Sequence, residues 1–331
     1  MKGVEHYIKT PLVLLAVLSL ALAVFAVLTG AMHSLKKANA FFLTLSVLFF
    51  LFSVLVWLFS WSLLLVKHSK KRSFASVFCW GFASVFGSLT PIQLGSDALR
   101  SVFLREHLGI SFSESFSASM IVKGLKFSVL ALASTLIISW ALIGGWADAV
   151  LFLPLLSGLL VVVLAALFFL LPLKKSVGYK ISRFFERLSR KVHFLKPLGE
   201  YFVKYSDYLS HVRSGMLVVV FAMAAFSWFF EFFSLFFAFL SLGIKMPVLS
   251  LLALFVLLAV LERTPFLPRG ILLVETVGFA FLSFPLITSA SLSVPQIASV
   301  LVLFDLSRLV MPAVLSAAFY AFYSQRKRHP R

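Results

Sequence analysis

The sequence predicts an all-α integral membrane protein of about eight transmembrane helices, in two pseudo-related halves that contain broken or re-entrant helices. Three observations support this fold class. Hydrophobic residues make up 61% of the 331 residues, and the mean hydropathy of +1.04 exceeds that of a soluble core. Apolar runs long enough to cross about 30 Å of hydrocarbon recur along the chain. The most basic segments lie between these runs, as cytoplasmic loops do.

The first half contains four predicted spans and one shorter hairpin. The spans are predicted at 11–30, 41–66, 115–143 and 149–172. The first apolar run is long enough to span, so we interpret it as a retained helix and not as a cleaved signal peptide. Residues 74–108 are predicted to form a re-entrant hairpin, because 74–89 is too short and too rich in Gly and Ser for a span. Its second arm is predicted as a helix over 97–108 with Ser96 as N-cap.

Residues 174–213 differ from the rest of the chain. They are rich in Lys and Arg, and apolar residues recur among them at helical spacing. This pattern predicts a basic, amphipathic, interfacial helix on the cytoplasmic face, interrupted at Pro197. The segment divides the chain into a half over 1–173 and a half over 214–331. Packing on the membrane surface and recruitment of a partner protein are both open interpretations.

The second half of the sequence repeats the pattern of spans seen in the first half. Its spans are predicted at 214–241, 247–263, 271–288 and 296–322. The tail after the last span is basic, and an even number of crossings places both termini in the cytoplasm. The sequence therefore predicts a multi-pass protein of the cell membrane with the N- and C-terminus on the same side.

Two stretches place prolines, glycines and charges inside apolar sequence, at 90–100 and 264–275. Proline removes a backbone donor and breaks a helix, and unpaired backbone groups in hydrocarbon are tolerated only where protein or water covers them. Paired breaks in two halves of a membrane protein indicate a substrate path near the midplane. The predicted breaks are at Pro91, Gly95, Pro265, Pro268 and Gly270.

Charged residues inside the spans are the candidate functional groups, since charge in hydrocarbon is costly and usually functional. The cations predicted to hold an anionic headgroup in a polar cavity are Arg100, Lys123, Lys126, Arg269 and Arg308. The acids predicted to orient these cations or to carry coupling protons are Asp97, Glu262, Glu275 and Asp305. Glu231 lies in a predicted helix rich in aromatic residues, where its carboxylate must either pair with a cation or be protonated. The alternative is that these charges pair with one another and only lock the helices together.

Several function classes are excluded by what the sequence lacks. The formal net charge of +18 belongs to loops between spans and not to a nucleic-acid site. Cys79 is the single cysteine, so no intramolecular disulfide forms. No Cys/His cluster has metal-ligand spacing, and neither a P-loop nor a dinucleotide fingerprint is present. We therefore expect no metal, no cofactor and no enzymatic activity.

Three places in the sequence share a pattern with a known family. The residues concerned are Thr90, Pro91, Gly95, Asp97, Arg100, Leu104, Arg105, Gly109, Ile110 and Ser111 in the first place, Pro268, Gly270 and Glu275 in the second, and Arg308 in the third. At these places the sequence resembles the lysylphosphatidylglycerol synthase transmembrane family, the flippase part of the bacterial multiple peptide resistance factor. Arg269 and Leu272 stand where that family has glycines, and Lys123 and Gly124 stand near the place of a missing acid–arginine pair.

The resemblance implies a lipid flippase or scramblase that moves an anionic phospholipid or a polyprenyl-phosphate-linked lipid across the membrane. The aminoacyl transferase domain of the larger bacterial proteins is not in this sequence, so lysyl-lipid synthesis is not expected. One alternative is a non-catalytic membrane subunit that anchors or activates a glycosyltransferase through 174–213. Another is an integral-membrane enzyme acting on a lipid. The expected partners are anionic membrane lipids, with a glycosyltransferase or lipid-modifying enzyme and a homodimer left open, and no nucleic acid.

Overall fold

The computed structural model describes residues 2–67, 73–89, 94–143, 149–189, 203–208, 211–262, 273–283 and 292–328. These residues are nearly all helical and include no strand, which confirms the predicted all-α class. Among them, five helices are long and apolar enough to cross a membrane. The chain is therefore a multi-pass membrane protein.

The helices follow the order of the predicted spans. They are α1 (Lys2–Leu28), α2 (Ala31–Leu35), α3 (Ala40–Lys67), α4 (Phe74–Ala83), α5 (Leu94–Leu108), α6 (Phe112–Ile143), α7 (Ala149–Leu170), α8 (Lys175–Ser189), α9 (Ser214–Ser241), α10 (Val248–Leu261), α11 (Leu273–Leu282), α12 (Val294–Asp305) and α13 (Met311–Arg328). Short 3₁₀ turns follow α4 and α7, and a π-helical turn joins α12 to α13. The spanning windows lie in α1, α3, α6, α9 and the continuous α12–α13 rod, whereas the apolar parts of α7 and α10 are shorter.

Helices α3 and α9 pack against each other along a seam of serines. The Ser46 hydroxyl donates to the Ser234 carbonyl at 2.8 Å, and the Ser53 and Ser227 hydroxyls lie 2.8 Å apart. Ser53 follows Ser46 by seven residues, and Ser227 precedes Ser234 by seven, so the pair is antiparallel with a heptad register. Small side chains at that spacing let two membrane helices approach closely. This seam joins helices from before and after the 174–213 segment.

Within 74–108, the described residues form α4 with its 3₁₀ turn and α5, and this turn contacts α5 through a glycine. A Cβ atom at Gly87 would lie 3.1 Å from the Ser96 Cα and 3.2 Å from the Gly95 carbonyl oxygen. The 3₁₀ turn over Val85–Leu89 therefore lies directly on the first turn of α5. The predicted cap at Ser96 is wrong, since α5 begins at Leu94. Gly95 lies in the first turn of α5, so the break predicted there stays a prediction. The re-entrant path stays a prediction, and Pro91 lies outside the described residues.

Helix α8 forms part of the basic 174–213 segment. Its Gly178 lies against the Ser206 side chain, and the Tyr205 hydroxyl donates to the Phe169 carbonyl at the end of α7 at 2.6 Å. The face away from these contacts exposes basic residues and the Phe184 ring. The predicted interruption at Pro197 lies outside the described residues.

The π-helical turn between α12 and α13 covers Leu306–Val310 and is followed by Pro312. A proline in a helix donates no hydrogen bond and clashes with the carbonyl four residues earlier, here that of Arg308. A wider turn at this position accommodates the clash, and single π turns are frequent at functional sites. The predicted span over 296–322 is confirmed, since one continuous apolar helical window covers Val294–Gln325, and the π turn lies in its middle.

Candidate functional site

The first group of buried charges, the tryptophan cluster, consists of Asp97, Arg100, Lys123, Trp57 and Trp61. Asp97 and Arg100 are fully buried on α5, and the Arg100 Nη1 lies 3.4 Å from the Asp97 Oδ1. Lys123 reaches the same carboxylate from α6. The guanidinium carbon lies 4.3 Å and 4.6 Å from the ring centroids of Trp57 and Trp61 on α3. Cation–π contacts of this kind hold an arginine without neutralising it.

Serine hydroxyls complete the surroundings of Arg100. Its Nε donates to the Ser84 hydroxyl at 3.3 Å, and its Nη1 donates to the Ser119 hydroxyl at 3.3 Å. The buried Nη2 has no hydrogen-bond partner among the residues that the structure describes. An arginine with one free terminal nitrogen retains donor capacity for an anion, because a guanidinium offers five N–H donors.

The second group, the central pair, is formed by Lys126 on α6 and Glu231 on α9. The Lys126 Nζ lies 2.7 Å from the Glu231 Oε1, which also accepts from the Ser53 hydroxyl at 2.8 Å. The ammonium donates to the Ser227 hydroxyl at 3.0 Å and lies 4.7 Å from the Trp228 ring centroid. Glu231 thus has the partner that its aromatic surroundings require. The two lysines that share one face of α6 therefore contact different neighbours, Lys123 an acid on α5 and Lys126 an acid on α9.

The third group, the Arg308 cluster, gathers three acids around one arginine. Arg308 is fully buried in the π turn, and its Nε donates to the Asp305 carboxylate at 2.6 Å. Its Nη1 lies 3.7 Å from the Glu262 carboxylate, and its Nη2 lies 3.6 Å from that of Glu275. Glu262 is the C-cap that follows α10, and Glu275 lies in the first turn of α11. Arg308 therefore contacts the residues on both sides of the 263–272 stretch, and it also pairs with Asp305, three residues earlier on the same helix.

The three clusters follow one another along α3. Trp57 and Trp61 hold the tryptophan cluster, Ser53 binds the central pair, and Ser46 lies 3.0 Å from the hydroxyl of Ser307, the neighbour of Arg308. From Ser46 to Trp61 the helix rises about 22 Å, against about 30 Å of hydrocarbon in a bilayer. Buried charge thus accompanies α3 over a length that approaches the thickness of the hydrocarbon layer.

The structure brings eight of the nine predicted charged site residues into these clusters. Arg269 and the predicted breaks Pro265, Pro268 and Gly270 lie outside the described residues. A cavity of about 330 Å³ between α1, α2 and the π turn is lined almost entirely by apolar side chains, and none of the four predicted cations that the structure describes contributes to its wall. This cavity is therefore not the polar one that the sequence predicts.

Sequence reasoning missed the neutral residues of the site. Ser53 and Ser227 bind the central pair, and Trp57 and Trp61 cover Arg100. Two signals pointed to them. The serines repeat every seven residues on α3 and α9, and the two tryptophans are four apart and so share one helix face.

Comparison with known proteins agrees with the resemblance seen in the motifs. The family described as the lysylphosphatidylglycerol synthase TM region matches residues 12–316. No curated protein and no solved structure matches the chain. Because the family match covers nearly the whole sequence and includes the three buried clusters, this chain belongs to the lysylphosphatidylglycerol synthase TM region family.

Proposed function

We propose that this protein moves a lipid with an anionic headgroup, an anionic phospholipid or a polyprenyl-phosphate-linked lipid, from one leaflet of the cell membrane to the other. The observation that supports the proposal most is the succession of charged clusters along α3. A headgroup that crosses hydrocarbon needs polar contacts at successive depths, while its tails stay in the bilayer. Membership of a family of membrane domains agrees with this role.

The chemistry of the clusters suits transient binding of a phosphate. Arg100, Lys123 and Lys126 each contact a carboxylate that a phosphate can replace, because both are anions that accept from the same donors. Exchange of one anion for another leaves no cation unpaired, and the displaced carboxylate avoids becoming a lone buried charge by taking up a proton. In this mechanism Asp97 and Glu231 hold the lysines in place between passages of lipid.

The Arg308 cluster places a comparable phosphate-binding cation in the second half of the chain. Its guanidinium contacts both ends of the segment that contains Pro265, Pro268 and Arg269. We propose that Arg308 binds the headgroup in the same way, and that Glu262, Glu275 and Asp305 orient it or carry protons that accompany transport. No chemical change of the lipid is part of the proposal.

Translocation is tested with the full chain reconstituted in vesicles that contain fluorescent phosphatidylglycerol, with a quencher added outside. We expect the protein to make inner-leaflet lipid accessible to the quencher, and the double variant Lys126→Met/Glu231→Gln to slow this exchange strongly. The matched control is Lys245→Met, at an exposed position away from the clusters. Absence of exchange with phosphatidylglycerol and with polyprenyl phosphate, or equal rates for the double variant and the wild type, would overturn the proposal.

A second candidate function rests on α8. This helix exposes Lys180, Arg183, Arg187 and the ring of Phe184, which is 60% exposed. Such a face suits a membrane surface or a partner such as a glycosyltransferase. Affinity purification from the native membrane separates the alternatives. A stable enzyme partner that is lost when these three basic residues become glutamine, together with no lipid exchange, would favour an anchoring subunit.

The proposed orientation places both termini and α8 on the cytoplasmic side, since the basic segments lie there. This orientation is tested in a chain with Cys79 replaced by serine. One variant carries a single cysteine at exposed Lys245 and another carries it at exposed Lys180, and each is labelled with a membrane-impermeant maleimide. Labelling of Lys245→Cys but not of Lys180→Cys in intact cells is the expected result, because an odd number of predicted spans separates the two positions. Labelling of Lys180→Cys but not of Lys245→Cys would indicate the opposite orientation of the protein in the membrane.

A further inference from the structure

The cavity between α1, α2 and the π turn has the shape of a hydrocarbon site. One wall runs along α1 from Ser19 to Ala26, the other runs from Val302 to Val310, and Met32 and Leu35 of α2 complete it. The two long walls extend about 11 Å and about 12 Å, close to the depth of one leaflet of about 15 Å. The volume of about 330 Å³ falls in the range of small-molecule sites, about 300–1,000 Å³.

The surroundings of the cavity indicate what fills it. Helix α1 is the least buried of the spanning helices, with 17% of its window buried against 72% for the α12–α13 rod. Ala23 and Met32 line the cavity and are also exposed, so the cavity opens on the outer surface of the helix bundle. A void beside hydrocarbon forfeits the dispersion contacts of its walls, and the nearest material able to restore them is an acyl chain.

Charge at one end of the cavity selects the lipid. Leu35 is the last residue of α2, and the exposed Lys36 and Lys37 follow it directly. Short α2 is held over α12, because the Ser299 hydroxyl donates to the Ala31 carbonyl at 3.2 Å. Two ammonium groups thus lie at the level where a lipid in this cavity would place its headgroup. Juxtamembrane lysines attract anionic lipid, by about 1 kcal/mol each.

We propose that this cavity binds one acyl chain of an anionic phospholipid, whose phosphate lies against Lys36 and Lys37. The bound chain contacts Leu306 and Val310, which flank Arg308 in the π turn, so the lipid supports the outer side of the turn whose inner side forms the Arg308 cluster. The inference concerns binding on the outer surface and does not require that the protein transport lipid.

The test uses the full chain in nanodiscs that contain phosphatidylglycerol with a photoactivatable group in one acyl chain. After irradiation, mass spectrometry locates the labelled peptides. We expect label within 19–35 and 302–310. Ala23→Trp fills the cavity and is expected to reduce that label at least fivefold. The matched control is Ala21→Trp, the same change at an exposed position of α1 that does not line the cavity, which should leave the label unchanged.

The headgroup is tested with phosphatidylcholine that carries the same photoactivatable chain. We expect weaker label from it, and the variant Lys36→Gln/Lys37→Gln should lower phosphatidylglycerol labelling to the phosphatidylcholine level. Equal label from the two lipids in the wild type would overturn the assignment of an anionic lipid. Label spread evenly over the lipid-facing helices, or reduced equally by Ala21→Trp and Ala23→Trp, would overturn the site itself. Because the readout is binding, neither outcome depends on lipid exchange between leaflets.

Discussion

Replacing Lys126 with methionine removes the ammonium that lies 2.7 Å from the Glu231 Oε1 at the centre of the α3–α6–α9 contact. Loss of one partner from a buried ion pair costs about 3–5 kcal/mol. The lower end applies here, because the Ser53 hydroxyl still donates to the same oxygen at 2.8 Å and both charged side chains are slightly exposed.

We therefore expect Lys126→Met to lower the free energy of unfolding by about 3 kcal/mol. Unfolding by titration with dodecyl sulfate in detergent micelles measures the difference, with Lys245→Met as control.

A second substitution, added at Glu231, separates the effect of a lone charge from the effect of altered packing. In Lys126→Met/Glu231→Gln the amide oxygen still accepts from Ser53, and no lone charge is buried, so stability should return to within about 1 kcal/mol of the wild type. A single variant as stable as the wild type, or a double variant as unstable as the single one, would refute the reasoning. If the double variant is stable and exchanges lipid at the rate of the wild type, the central pair is a structural lock and has no part in transport.

Three further predictions concern the other contacts. Ser46→Leu overfills the α3–α9 seam and should lower the free energy of unfolding by about 1–3 kcal/mol, whereas Ser46→Ala should lower it by less than about 1 kcal/mol. Equal losses for the two variants in the same titration would argue against close packing there. Gly87→Ala brings a methyl group to 3.0 Å from the Leu99 side chain, so we expect a loss of about 1–3 kcal/mol, and wild-type stability would contradict that contact. Arg308→Lys loses the planar guanidinium that contacts three acids, so the rate of lipid exchange should fall about tenfold. The variant is compared as a monodisperse protein, and an unchanged rate would exclude Arg308 from the lipid path.

The spans were predictable because hydrophobicity is a property of each residue and its near neighbours. A run of apolar side chains crosses hydrocarbon whatever its partners are, so α1, α3, α6 and α9 follow from the sequence. The same holds for the pairing of Asp305 with Arg308, which lie three apart on one helix and meet within it. The predicted division at 174–213 stays a prediction.

The sequence by itself determined that this is an all-helical membrane protein and which charges lie inside its spans. Only the tertiary structure decided which acid meets which base. Lys123 and Lys126 share one face of α6, yet α5 packs beside the first and α9 beside the second, so their partners are Asp97 and Glu231. The physical reason is that a buried charge accepts any opposite charge within a few ångströms, and the packing of helices distant in sequence determines which one that is.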